Sequence, residues 1–450
     1  MMRAAATVTL AIFLSGTMRA AGAESPTRPV GAAAAAVRAT SLDQLSEQAR
    51  ARVGSAPRVP LAEASGLGWP ELAPELRQGH SEAPSWFRAF SGMPGAAQPF
   101  AELVHAVLYR GRLAVELKAA MGLRMAQVNG SPYVAAHMIW VLRGSPVGRA
   151  VLKALRPGVA GLQPEIRLDV EHAEALTLNV HGVSRAQFQM LRGSFDDSDI
   201  VELTLTVAFF NYFTRYAEAL HLPVELWVLE GAGPTPEPSG ADAQRPRVAL
   251  ISDDEIAATT AAVAAVKEQA GRPGGWGIGL ANSQRAMLRA PALGAAWRQY
   301  GAATRAKETV GRDVKLQVSL AVSLSNGCRY CTLHQVLGLH RLGVDPGKLV
   351  ALRKDDAALT PRERSAVSFA RKLTSNPGGL TDADYAGLRA EFGEVGALEV
   401  VQQTCNFAFM NRFTDGLELP SEDEAIRVYR EVYGGDWKKE SALGAAPPVR

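Results

Sequence analysis

Apolar residues recur at three- and four-residue spacing over long stretches of this chain, and the breaks between those stretches set out a helical plan. Phe100, Leu103, Val107 and Leu108 mark the first strong stretch. A longer one runs from Leu113 to Val128, is closed by Asn129-Gly130, and is followed by a helix that carries His137. Further helices are predicted around residues 165–178, 185–191 and 199–220. Residues 231–247 are rich in Gly and Pro with few apolar side chains, which marks a linker. A helix is predicted over 253–270, the chain breaks again at Arg272-Pro273-Gly274-Gly275, and a second helical block runs from Gln284 to Tyr433.

The two blocks repeat one another at a fixed shift of 197. That shift pairs Asn129 with Asn326, Tyr133 with Tyr330 and His137 with His334. It also pairs Glu202 with Glu399, Arg215 with Arg412, and Leu222-Pro223 with Leu419-Pro420. One shift held over this length points to a tandem duplication of a helical unit. The chain divides into a signal peptide (1–23), a lead-in segment (24–84), a first block (85–230), a linker and following helix (231–279), a second block (280–433) and a loose polar tail (434–450).

Composition changes this picture little. The chain of 450 residues is 47% hydrophobic and 21% charged, and its abundance of Ala, Leu and Arg favours helix. The leader has a basic start at Arg3, an apolar run from Ala4 to Leu14 and small residues at Ala21-Gly22-Ala23, so a cleaved signal and an exported, periplasmic or secreted protein are expected. Losing Arg3 and Arg19 with the leader lowers the formal charge from +3 to +1. With no basic tract, nucleic acid is excluded as a partner, and no membrane contact beyond export is expected. Three cysteines are too few for a disulfide scaffold.

The chemistry concentrates in Ser325-Asn326-Gly327-Cys328-Arg329-Tyr330-Cys331-Thr332-Leu333-His334. Cys328 and Cys331 are three residues apart at a helix start, where free N–H groups and the helix dipole favour a thiolate. Lys315 and Arg329 add positive charge nearby. Three readings fit the residues: a redox-active dithiol, a structural disulfide, or a zinc site completed by His334 and His340. His334 follows Cys331 by three residues and can exchange a proton there, although the matching His137 stands in a block without thiols and points to a packing role. Ser131 and Val134 occupy the cysteine positions of the first block. Cys405 lies in an apolar helix and reads as a buried free thiol, Tyr133 and Tyr330 as packing, and Arg215 and Arg412 as anchors for Glu202 and Glu399.

The segment from Asn326 to His334 resembles the active-site segment of the carboxymuconolactone decarboxylase and alkylhydroperoxidase D family, and the closing segments 209–220 and 407–417 resemble it too. The resemblance implies an all-α fold of two tandem alkylhydroperoxidase D-like helical bundles, and assembly into homo-oligomers. It implies catalytic Cys328, Cys331 and His334, without metal or cofactor, acting as a thiol peroxidase or thiol–disulfide oxidoreductase. The substrate would be a peroxide or a partner's disulfide, and a thiol reductant would restore the enzyme. The family pattern has a Glu twelve residues before the first Cys and a His four after the second; here Leu316 and Gln335 stand at those places, and Ala119 at the first-block Glu position. Proton transfer is therefore expected to be weakened. The alternative is a non-catalytic binding or scaffold protein of the same fold with a structural disulfide; a lactone decarboxylase is a third reading.

Overall fold

Two Asn-Gly pairs end long helices at matching places. Gly130 (φ 65°) and Gly327 (φ 71°) take the left-handed conformation, which glycine adopts without a Cβ clash, and a new helix starts within two residues of each. This computed structural model describes residues 39–234 and 280–434, except 79, 81, 182, 306, 307 and 355. The expected signal peptide 1–23, the lead-in residues to 38, linker residues 235–279 with the helix predicted over 253–270, and tail residues 435–450 lie outside the described residues.

The described residues are all-α, with no strand. The first set comprises α1 (Leu42–Ala51), α2 (Ser85–Arg88), α3 (Ala97–Tyr109), α4 (Val115–Asn129), α5 (Pro132–Arg143), α6 (Pro146–Leu155), α7 (Pro164–Leu178), α8 (Arg185–Ser194), α9 (Asp197–Ala219) and α10 (Leu226–Glu230). The second comprises α11 (Asn282–Met287), α12 (Pro291–Thr304), α13 (Arg312–Asn326), α14 (Arg329–Arg341), α15 (Pro346–Lys354), α16 (Pro361–Ser375), α17 (Asp382–Gly416) and α18 (Asp423–Tyr433). No described helix is long and apolar enough to cross a membrane.

The shift of 197 carries α4 onto α13 and α7 onto α16 end to end. One difference is local. Where Asp196 caps α9 and separates it from α8, Gly393 (φ 69°) kinks the continuous α17. A capping box opens α8 at Ser184 with Gln187, and another opens α16 at Thr360 with Glu363, so both ends are written locally.

Packing follows the same plan in both sets. α4 packs on α5, α7 and α9, as α13 packs on α14, α16 and α17. The most extensive helix pair is α9 against α17, which joins the sets, and the described residues of both belong to one compact unit. Their common core includes Phe209, Phe213 and Tyr216 from one side and Val401, Phe409 and Phe413 from the other. Each such side chain removed from water contributes roughly 1.5–3 kcal/mol. Trp297 stacks on Phe409 with ring centroids 3.6 Å apart, and the hydroxyls of Tyr212 and Tyr300 converge on Gln402 Oε1.

The expected pairing of Arg215 and Arg412 with Glu202 and Glu399 is not what forms. Lys118 holds Glu202 at 2.6 Å and Lys315 holds Glu399 at 2.7 Å. Glu202 and Arg215 stand thirteen residues apart on one helix, about 20 Å at 1.5 Å per residue, so they cannot meet. The arginines reach across instead. Arg215 Nη2 donates to the Thr374 carbonyl and Arg412 Nη2 to the Thr177 carbonyl, each at 3.1 Å.

Candidate functional site

The site forms where α14 begins. Cys328 is its N-cap, and its sulfur accepts the Cys331 N–H at 3.3 Å, as expected for a thiol at a helix start. Both thiols are free. Thr414 Oγ1, from α17, lies 3.4 Å from each sulfur. Its own hydroxyl donates to the Met410 carbonyl at 2.9 Å, which leaves the oxygen to accept from the thiols.

The two cysteines differ in surroundings. Cys328 is fully buried, and burial pushes its thiol well above the ordinary value, with Cys331 and Asp415 adding to the rise. The lowered Cys328 pKa expected from the helix end is thus overridden by desolvation. Nor does Lys315 supply a loose positive charge, since its ammonium is engaged by Glu399. Cys331 instead lines a pocket of about 260 Å³ together with His334, Gln335 and Leu316. Trp297, Phe407 and Met410 form apolar wall, and Arg298, Arg305 and Arg312 lie around it.

His334 is held on both sides. Its Nδ1–H donates to the Tyr330 carbonyl at 2.7 Å, and its ring stacks on Tyr330 with centroids 4.2 Å apart. Its Nε2 lies 2.7 Å from Glu422 Oε2. The carbonyl partner fixes the hydrogen on Nδ1 and turns Nε2 toward the Glu422 carboxylate. Glu422 Oε1 also receives the Asn282 N–H at 2.7 Å and the Tyr330 hydroxyl at 3.1 Å. Burial works against the Glu422 charge, but His334 and the Asn282 amide outweigh it and hold the carboxyl below its ordinary value.

The first set builds the same frame without sulfur. His137 Nε2 bonds Glu225 Oε2 at 3.1 Å, the Tyr133 hydroxyl bonds Glu225 Oε1 at 3.0 Å, and the Ser85 amide donates to the same oxygen. His334 is thus fixed by hydrogen bonds and lines the pocket. Tyr330 and Tyr133 hold a carboxylate as well as packing. Cys405 is a buried free thiol, as its apolar helix suggested. Among the described residues no group of three or more His, Cys, Asp or Glu side chains could hold a metal ion.

Sequence reasoning missed Glu422, Thr414 and Asp415. The signal for Glu422 was present: the shift of 197 pairs it with Glu225, two residues beyond the matched Leu-Pro pairs. The same shift pairs Asp415 with Glu218, whereas Thr414 falls on Ala217 and had no such signal, because only folding brings the end of α17 to the start of α14.

Residues 291–372, in the second half, match the model of the Carboxymuconolactone decarboxylase family. No curated protein sequence matches the chain. Two crystal structures of the debrominase Bmp8 are similar to it. A Cys-to-Ala variant in complex with 2,3,4-tribromopyrrole is 18% identical over 42% of this chain and 100% of that one, with a TM-score of 0.36. The apo form is 20% identical over 41% and 97%, with a TM-score of 0.35.

Proposed function

We propose, from the carboxymuconolactone decarboxylase match in the second half, that this chain is a thiol–disulfide oxidoreductase that reduces a peroxide or a partner's disulfide. The observation that supports this most is the pair of free thiols on either side of Thr414 Oγ1, with Cys331 alone of the two lining a pocket beside His334. Cys331 is the attacking residue in this reading, because substrate can reach it, and Cys328 resolves the product from behind.

In the first step Cys331 gives its proton to the His334–Glu422 pair, and its thiolate attacks the terminal oxygen of a hydroperoxide. An S–O bond forms, the O–O bond breaks, and the departing alkoxide takes the proton from the pair, leaving Cys331 as a sulfenic acid. Cys328 then attacks the Cys331 sulfur; the S–S bond forms, the S–O bond breaks and water leaves. An external thiol reductant returns both cysteines to thiols. With a disulfide substrate the same attack releases a partner thiolate in place of alkoxide.

The test is consumption of an organic hydroperoxide under excess dithiothreitol. Cys331→Ser abolishes all turnover, whereas Cys328→Ser still forms one equivalent of sulfenic acid that dimedone traps. No turnover by the wild type, together with a reduction potential below about −300 mV, the range of resistant structural disulfides, would establish the binding or scaffold reading instead.

A further inference from the structure

The pocket beside Cys331 has a counterpart in the first half, and there it is filled. The shift of 197 holds through this region: the Ser283 N–H donates to the Tyr330 hydroxyl at 3.2 Å, as the Trp86 N–H does to the Tyr133 hydroxyl at 3.1 Å. It pairs the pocket residues Met287, Trp297, Asn406 and Met410 with Phe90, Phe100, Phe209 and Phe213. All four phenylalanines are buried and lie against one another, with ring centroids 5.3 Å apart for Phe90 and Phe100 and 5.5 Å for Phe209 and Phe213. A fifth ring shows how the space opens. Phe210 is fully buried over Gly122, where a Cβ would stand 2.5 Å from it. Ser319 takes that position in the second half, and Phe407, the counterpart of Phe210, is half-buried and lines the pocket.

Two polar atoms interrupt the apolar lining. Gln335 Oε1 and Asn406 Oδ1 are buried without a hydrogen-bond partner, and Gln335 as a whole is 2% exposed. An amide oxygen so placed is costly unless a donor reaches it. Gln335 follows Cys331 by one helical turn and shares its face, whereas apolar Met138 stands at its place in the first half. Cys331 is itself 3% exposed, so the disulfide of a folded partner is kept from its sulfur while a small molecule in the pocket is not.

We propose that the pocket takes a ring-bearing organic hydroperoxide, its ring in the space that phenylalanines fill in the first half and its O–H donated to Gln335 Oε1. The proposal rests on the thiol–disulfide reading above and narrows its substrate. Apolar wall from Trp297, Phe407 and Met410 covers the ring and excludes water from it. The bond to Gln335 presents the distal oxygen to the Cys331 sulfur. The S–O bond then forms as the O–O bond breaks, and the distal oxygen keeps its hydrogen in the sulfenic acid. The alkoxide that departs takes a proton from the His334–Glu422 pair and leaves as the ring-bearing alcohol. Gln335 is thus a substrate-binding residue.

The test compares cumene hydroperoxide with tert-butyl hydroperoxide, in which a methyl group replaces the phenyl ring. In the full chain kcat/KM is expected to favour the ring about tenfold or more. Met410→Phe, which places a first-half ring in the pocket, is expected to bring that ratio to one or below. Binding is measured separately, without peroxide, by ligand-observed NMR with cumyl alcohol and cumene, which share the ring while only the alcohol has an O–H. Gln335→Leu is expected to lower the affinity for the alcohol relative to the hydrocarbon about tenfold. No preference for the ring, a preference that Met410→Phe leaves unchanged, or an unchanged alcohol-to-hydrocarbon ratio in Gln335→Leu overturns the proposal. Binding of the alcohol without turnover of either hydroperoxide would instead count against the thiol–disulfide reading.

Discussion

Arg412 donates to the carbonyl of Thr177, and Arg215 returns the same bond to Thr374, which stands where Thr177 does under the shift of 197. Each guanidinium reaches the end of a helix in the opposite half and finds backbone oxygens that the helix itself leaves free. Burial lowers the Arg215 pKa to about 10 and pushes that of Arg412 down further, so these bonds hold cations in an unfavourable setting. Replacing Arg412 by Lys keeps the charge but loses the planar fork. We expect a loss of about 2 kcal/mol in urea unfolding, with a single transition for both halves. Two separate transitions would mean that the halves are independent bodies.

Glu422 and Glu225 hold their histidines in the same way, yet only one of those histidines stands near sulfur. Glu422→Gln is therefore expected to lower hydroperoxide consumption on the order of a hundredfold. Glu225→Gln should leave the rate within a factor of two or so while costing about 1 kcal/mol of stability. Equal losses in both variants would assign the pair a structural role only.

Thr414 stabilises the reduced thiols, because a disulfide has no S–H to donate to it. Thr414→Val keeps the shape and removes the acceptor. Destabilising the reduced form by about 1 kcal/mol corresponds to a reduction potential about 20 mV more negative. Equilibration against glutathione buffers measures it, and an unchanged potential would show that the oxygen does not bond the thiols.

Asp169 is buried in α7 with Oδ1 unpartnered, and burial raises its carboxyl from an ordinary 3.8 to about 7. Between those values the folded state holds a proton that the unfolded chain has released, so stability falls as pH rises through this window. Asp169→Asn removes the effect. Its melting temperature should gain on the wild type from about pH 4 to about pH 7 and run parallel above. A constant difference across that range would show that Asp169 is not protonated in the fold.

The helices were legible because their signals are local. Asn-Gly breaks, the Ser184 and Thr360 caps and the three-and-four spacing each act within a turn or two of chain. The partners of Arg215 and Arg412 were not legible, since they come from the other half at a contact that no spacing along one helix encodes. Cys328 and Cys331 could be singled out by type and interval, but their different surroundings could not. They depend on which sulfur faces the pocket and which is sealed behind it, and tertiary packing decides that.

The crossing of α9 with α17 also fixes a stoichiometry. In an assembly of identical subunits every substitution arrives on both sides of the interface at once. Here the two faces are encoded separately, so Ser131 and Val134 can stand opposite Cys328 and Cys331. His181 can then face Asp415 on the thiol side while Arg52 pairs with Glu218 on the other, each changed without altering its counterpart.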